Sequence, residues 1–499
     1  MLLIPLLLAI PATFSQAIRS NDTLFSFDLN TTFTSCIGAD IASNLVLPQN
    51  DTFGSLSRGE RLRVDTKPLA VLMIQNIEHV SKAVECAYSL GIKPVVRSGG
   101  HSYESFSSVT GSMIIDISHC DDVKTTDNDT VAIIEAGARL GNIYSRLWNN
   151  HSQVTINAGS CPTVGIGGLT LGGGYGYTSR KYGLAADTVI SMNVVLYNGT
   201  KLQVNATSNS DLFWAMRGGG GGNFGIVTHF SFQTFKMPQV SMQLIQYNDS
   251  SQFAHFLTKF QTHFPSAPRE LTAHFTIGNT YLSMMVHYLG SMVDLDALMN
   301  QYGMYDTTNI NVNRNANCSG LGARTFINWD LGCNNLGMLD VPQIISKDKK
   351  EYSKTKSDYS TQVFSMETNQ MIVDTFGNVP AGKKGWMEFE AYGGIFDDHD
   401  SSFTPYPHRK GTLFSMQYSI NLDPGESESS PSYEWLRGLE QKLKPFVNGR
   451  HYQNYPDLDH GNNFGVGYYG EENFRRLQTI KKIYDPNNVF QNPQSIPLP

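Results

Sequence analysis

The chain has 499 residues, 40% of them hydrophobic and 16% charged, with a formal net charge of −7. Such a length fits two or more domains, because single cores stop growing near ~250 to 300 residues. The acidic balance, with no long run of one sign, excludes the basic surface that nucleic-acid phosphates require.

The first 17 residues, MLLIPLLLAIPATFSQA, are an apolar run of leader length with Ser15 and Ala17 placed for cleavage after Ala17. A membrane anchor needs about 20 apolar residues, and this run is shorter and broken by Pro5 and Pro11. Secretion is expected, with no membrane contact once the leader is removed. Nine Asn-x-Ser/Thr acceptors, at Asn21, Asn30, Asn50, Asn128, Asn150, Asn198, Asn205, Asn248 and Asn317, fit that route and predict N-glycans. An oxidising compartment permits disulfides. The expected pairs are Cys36 with Cys86 and Cys318 with Cys333, leaving Cys120 as a buried thiol and Cys161 for chemistry.

From Leu69 the pattern alternates between strand and helix: PLAVLMI, then NIEHVSKAVECAYSLG, then KPVVRSGG. Ile77, Val80, Val84, Ala87 and Leu90 recur at near-helical spacing, and Gly91 closes that helix. Strands follow at SMIIDIS and TVAIIEAGA, a helix at ARLGNIYSRLWNN, and a hairpin in VISMNVVLYNGTKLQVNAT turning on Asn198-Gly199. This first unit is α+β and is expected over residues 18–236. Past Pro238 longer alternating runs appear, ELTAHFTIGNTYLSMMVHYLG and GWMEFEAYGG, with helices at SSQFAHFLTKFQTHF and DLDALMNQYG. They predict a substrate domain over 237–449, an antiparallel sheet backed by helices. In the final segment, 450–499, Phe474, Leu477, Ile480 and Tyr484 mark one helix face, stopped by Asp485-Pro486.

Three glycine clusters carry the chemistry. In RSGGHSY, Gly99 and Gly100 follow a strand directly, so successive N–H groups form a concavity for pyrophosphate oxygens. The segment GSCPTVGIGGLTLGGGYG has more glycines than one bend needs, and a third cluster runs from Arg217 to Gly222. His101 and Cys161 each sit inside one of the first two turns, a pattern pointing to a flavin held by two covalent bonds. One such turn is as often a packing device; three within a short span are not. A Rossmann reading fails, because GIGGLTLGGG does not open a helix with an acidic residue about 20 positions on. No GxxxxGK[ST], HExxH or GxSxG occurs, so phosphoryl transfer, zinc proteolysis and α/β-hydrolase chemistry lose their signatures, and no metal site is expected.

RSGGHSYE, GSCPTVGIGGLTLGGGYGYTSRKYGLAAD, MRGGGGGNFGIV, EAYGGIF, PYPHR, YQNYPDLD and YYGEENFRRLQTIKKIYDPNNVFQNPQSI resemble the berberine-bridge-enzyme-like branch of the vanillyl-alcohol-oxidase flavoproteins, in the style of its secreted fungal members. The resemblance implies a PCMH-type FAD-binding domain of two α/β subdomains. It implies FAD bonded through its 8α-methyl to His101 and through C6 to Cys161. The expected cofactor contacts also include Arg97, Ser98, Gly99, Gly100, Ser102, Val164, Gly165, Gly168, Gly173, Gly174, Tyr175, Gly225, Ile226, Val227 and Asn488. Val164 matches the small gatekeeper of oxygen-using members, which favours an oxidase over a dehydrogenase with another acceptor. Plant relatives carry His where Leu169 stands and an acid or aromatic where Ser415 stands, so their alkaloid and cannabinoid chemistry is not implied.

Strand alternation in GWMEFEAYGG puts Trp386, Glu388 and Glu390 on one face. By resemblance that face lines the cavity over the flavin with Gln417 and Tyr103, and Tyr455 is the catalytic base, with Tyr452 as its alternative. A tyrosine of ordinary pKa ~10 costs roughly 4 kcal/mol to ionise at pH 7. A neighbouring carboxylate does not lower that pKa, but Glu388 or Glu390 can receive the phenolic proton. The expected activity is oxidation of an alcohol with oxygen as acceptor, as a tailoring step on a fungal metabolite. The alternative is oxidation of a sugar reducing end; Phe275, Tyr281 and Tyr288 could stack on sugar rings, though at strand spacing they fit a core.

Overall fold

The computed structural model describes residues 25–126, 128–330, 332–342 and 351–499, without the side chains of 25–30, 313–317, 329 and 330. The leader, Asn21 and the side chains of Asn30 and Asn317 lie outside the described residues. Among those described, no helix is long and apolar enough to cross a membrane.

Strands Ala70–Met73, Ser112–Asp116 and Lys93–Arg97 run parallel in one small sheet, with Leu45–Val46 antiparallel at its edge. Helix Val80–Ser89 supplies the crossover that parallel strands need, burying Val80, Ala83, Val84 and Ala87. It ends where Gly91 takes a positive φ of 67°, the conformation glycine adopts without a Cβ clash. Disulfide Cys36–Cys86 ties helix Phe25–Ile37 to it, and Cys318 bonds Cys333. Cys120 is a buried free thiol and Cys161 an exposed one.

A second sheet, wholly antiparallel, orders its strands Val123–Thr125, Val131–Glu135, Ile226–Gln233, Val189–Val195 and Lys201–Asn205. The expected hairpin is there: Gly199 has φ 82° and Asn198 accepts from the Thr200 amide at 3.1 Å.

The largest sheet is antiparallel and seven-stranded, in the order Ile310–Cys318, Val240–Tyr247, Leu282–Tyr288, Leu271–Gly278, Gly385–Ala391, Phe414–Asn421 and Ser353–Ser360. Phe275, Met284, Val286, Met387 and Phe389 point to one side, into a core shared with helices Phe253–His263, Met366–Gly377 and Pro431–Leu443. The opposite face carries His274, Thr276, Glu388, Glu390, Ser415 and Gln417 on its central strands and the apolar cluster of Met242, Leu244 and Met285 beside them, and it lies toward the glycine turns. The chain then returns: Leu477 and Ile480 of helix Glu471–Tyr484 join the core of Phe213 and Trp214. The fold is α+β.

Candidate active site

Two glycine turns cross in backbone contact. A side chain on Gly99 would place its Cβ 2.3 Å from the Gly165 nitrogen, and one on Gly165 would meet Gly99 at the same distance. Only paired glycines allow that approach. Arg139 fastens the crossing by donating to the carbonyls of Gly99, at 3.1 Å, and of Thr163. Ser98 donates to the Ala136 carbonyl at 2.7 Å.

The pocket beside this crossing is lined by Arg97, Ser98, Gly99, Gly100, His101 and Arg139, with Glu60, Asp116 and Ser118. Its acids are paired. Arg97 Nε meets Asp116 at 2.6 Å, and His101 Nδ1 lies 2.7 Å from Glu60. Burial pushes the Glu60 carboxyl up, but the His101 hydrogen bond and the charges of His101, Arg61 and Arg139 outweigh that and hold it below the usual range. His101 Nε2 and Ser118 Oγ are buried without partners. Across the fold, a Cβ on Gly168 would meet nothing within 4 Å, and one on Gly221 would come no nearer to Gly168 than 3.7 Å. Exposed backbone, orphaned polar atoms and neutralised carboxylates are what an anionic dinucleotide needs, so these residues fit FAD.

Gly173 and Gly174 hold φ of 120° and 85°. The Gly174 and Tyr175 amides donate to the Tyr452 hydroxyl at 2.9 and 3.3 Å, as does Asn454 at 2.9 Å. Tyr452 is therefore a strut for the second turn, which leaves Tyr455 as the freer phenol. Tyr175 in turn donates to the Ala391 carbonyl at 2.9 Å, linking that turn to the large sheet. Cys161 Sγ is 3.2 Å from Thr163 Oγ1. Val164 packs half-buried against the core; Ile226 and Val227 are buried at the start of their strand, where a Cβ on Gly225 would approach the Val195 carbonyl oxygen to 2.7 Å. Ser102 caps the Phe106 amide at 3.0 Å, and Asn488, at φ 50°, keeps a buried Oδ1 without a partner.

On the polar face of the large sheet, register aligns His274, Glu390 and Ser415 in one row and Thr276, Glu388 and Gln417 in the next. The two glutamates take different partners. Glu388 meets His274 Nδ1 at 2.6 Å, whereas Glu390 accepts from Ser415 at 2.5 Å and from Tyr455 at 3.5 Å. Burial, with a push from the Glu388 charge, raises Glu390 to about 7 despite the opposing His274 charge and the hydrogen bonds from Ser415 and Tyr455. Tyr455 is driven well above 10 by burial and by the Glu390 and Tyr103 charges. Tyr103 stacks on Tyr455 with centroids 5.4 Å apart, accepts from Gln417 at 2.5 Å, and lies beneath the Arg61 guanidinium at 4.6 Å.

The structure thus brings Tyr455, Glu390, Gln417 and Tyr103 together, whereas Glu388, in the row of Gln417, is held by His274. Glu60, Arg139, His274 and Arg61 were not visible as site residues. Of these, only His274 left a local signal, sharing the alternating face of LTAHFTIG with Thr272 and Thr276.

Residues 68–205 match the FAD binding domain family and residues 451–497 the family of berberine and berberine-like domains. The chain is 29% identical to the FAD-linked oxidoreductase pynB of Aspergillus niger, over 92% of this chain and 90% of that one. It is 32% identical to berberine bridge enzyme-like 1 of Arabidopsis thaliana, over 91% and 90%. Its fold superposes on the solved structure of a chitooligosaccharide oxidase with a TM-score of 0.84 and 27% identity, over 94% of this chain and all of the other.

Proposed function

Because the chain belongs to the berberine-bridge-enzyme-like family of FAD-linked oxidoreductases, we propose that it is a secreted oxidase converting an alcohol to a carbonyl or lactone. Held by Ser98, Gly99, Gly100 and His101, FAD would supply the acceptor for the substrate's hydride, with oxygen as its reoxidant and peroxide as the by-product. The protein's part is proton transfer and positioning. Tyr455 takes the hydroxyl proton of the substrate and passes its own to Glu390, while Ser415 holds the other Glu390 oxygen and Tyr103 fixes the phenol by stacking. A neutral tyrosine beside a carboxyl raised to about 7 is suited to this relay, since the proton moves between groups without forming a free phenolate. That contact between Tyr455 and Glu390 is the observation that carries the reading.

Two covalent bonds to FAD, through His101 and Cys161, are part of the proposal. They are supported by an exposed thiol and an imidazole with a free buried nitrogen on turns that touch. The expected result is a yellow acid-precipitated pellet that survives Cys161→Ala or His101→Ala alone and turns colourless in the double variant. A colourless wild-type pellet would remove covalent attachment. Secretion is supported by the leader and two disulfides, and glycosylation by the exposure of Asn50, Asn128, Asn150, Asn198 and Asn248. Val164 beside Cys161 supports oxygen as acceptor.

The substrate is proposed to be a metabolite alcohol. Phe275 packs behind the sheet against Phe260 and so offers no sugar platform. The likeness to the chitooligosaccharide oxidase favours a second reading, oxidation at a sugar reducing end. Peroxide release from the purified protein separates them, using one panel of cello-, malto- and chito-oligosaccharides and one of benzylic and allylic alcohols. Turnover confined to the sugars would reject the metabolite reading.

A further inference from the structure

We propose that Arg324 and His287 form a carboxylate-binding subsite on the side of His274 remote from Tyr455, and that the substrate carries a carboxylate as well as its reacting hydroxyl. This rests on the reading of the Tyr455 and Glu390 site as the place of oxidation.

Arg324 lies on the short helix Gly320–Thr325 and is 1% exposed. Neither Nη1 nor Nη2 has a hydrogen-bond partner, and no carboxylate among the described residues pairs with it. Its guanidinium is instead 4.2 Å from the Tyr144 ring centroid, and the Tyr144 hydroxyl is engaged with the Gly159 carbonyl at 2.5 Å. A cation taken out of water needs a counter-charge or acceptors, and a π face satisfies none of the N–H groups.

His287, on strand Leu282–Tyr288, is in the same state. It is fully buried and neither ring nitrogen has a partner beyond the residue's own backbone. Burial first, then the Arg324 charge, depresses it to about 3, so the ring is neutral and offers one N–H. Buried polar groups are normally satisfied. Two buried side chains with donors to spare, near enough for the Arg324 charge to act on the His287 ring, describe a receptor for an anion. A planar guanidinium fork matches the two oxygens of a carboxylate, and a neutral imidazole adds a third donor without competing charge.

Packed rings link His287 to the reacting centre. Tyr177 stacks on His274 with centroids 3.9 Å apart and lies 6.0 Å from His287. His274 holds Glu388, whose neighbour along the strand on the same face is Glu390. One row therefore runs from His287 through Tyr177 and His274 to the glutamates. On the other side, Asn328, one turn beyond Arg324, donates to the Ser160 carbonyl at 3.2 Å, next to Cys161.

The test uses the flavin-loaded protein. Binding of benzoate, benzamide and sodium chloride is read from the flavin absorbance difference spectrum in wild type, Arg324→Met and Arg324→Lys. Benzoate is expected to bind more tightly than benzamide, and Arg324→Met to weaken benzoate about 30-fold or more while sparing benzamide, the loss seen on truncating one partner of a buried charge pair. Arg324→Met removes an uncompensated buried charge, so its thermal midpoint without ligand is expected at or above that of wild type. Should it not fold, Arg324→Lys keeps the charge without the fork and is expected to lose most of the preference for benzoate. Equal binding of benzoate and benzamide, or Arg324 variants that bind benzoate as wild type does, would overturn the proposal. So would chloride competing with benzoate at equal concentration, which would mean a site for an adventitious ion only. Peroxide release from 4-(hydroxymethyl)benzoate against benzyl alcohol is measured separately. Arg324-dependent benzoate binding with no turnover of any alcohol would sink the oxidase reading and leave the subsite standing.

Discussion

Replacing Tyr455 by Phe is expected to slow anaerobic reduction of the bound flavin by ~100-fold or more, the range for loss of a positioned acid–base group. The substitution removes one hydroxyl and keeps the ring stacked on Tyr103, so substrate affinity is expected to change little and the effect to fall on the chemical step. Stopped-flow reduction reads it; a change below threefold would take Tyr455 out of the mechanism. The same experiment has a pH arm. Glu390 is raised to about 7, chiefly by burial, and accepts the relayed proton only when ionised. The reduction rate is expected to rise as pH increases through about 7 and then to level off. Glu390→Gln should be slow at every pH and lack that limb, whereas Glu388→Gln, altering a residue paired with His274, should keep it.

The second large effect is expected at Asp457, and it is one of stability. This fully buried carboxylate meets Lys354 Nζ at 2.5 Å and Lys356 Nζ at 2.6 Å. Both lysines stand on the edge strand Ser353–Ser360, so Asp457 nails the C-terminal segment to the seven-stranded sheet two residues after Tyr455. Breaking a buried pair by deleting one partner costs about 3–5 kcal/mol, because the other charge stays behind. Glu104, at 2.7 Å from Lys354, and Glu440 and Asp459, at 3.0 and 2.9 Å from Lys356, remain. The effect of Asp457→Ala is accordingly expected near 3 kcal/mol, read as a lowered urea midpoint; an unmoved midpoint would show that the pairs contribute nothing. Burial pushes Asp457 up, but the two lysines outweigh it and bring it to about 2. A depressed carboxyl contributes in full above its ordinary range near 3.8, and that contribution is lost only as pH falls through about 2.

Local pattern revealed what local physics decides. The period of two in GWMEFEAYGG separates Glu388 and Glu390 from Met387 and Phe389, and burial of the latter pair in the core follows it. Gly91, Asn198 and Gly199 mark turns because those turns need their conformations. The division of labour between the glutamates was not legible. It depends on strand Leu271–Gly278 pairing with Gly385–Ala391 in a register that sets His274 opposite Glu390, and strand order is not written in any single segment. Strand Ser353–Ser360, SKTKSDYS, escaped notice altogether because it is polar yet buried at every position; its lysines are interior only because Asp457 and Glu104 arrive from elsewhere in the chain. Arg139 and Glu60 are likewise ordinary surface residues in sequence, and become part of the site through contacts with Gly99 and His101.

The Tyr452 hydroxyl that receives the Gly174 and Tyr175 amides has a bearing on biosynthesis. The glycine turn it braces is made early by the ribosome, but the brace belongs to the last fifty residues. A nascent chain with every glycine already translated still holds that turn without its support, and a nonsense mutation just before residue 450 would leave it so permanently. The bracing of this glycine turn is thereby tied to completion of the polypeptide, because a truncated product lacks the hydroxyl that receives its amides.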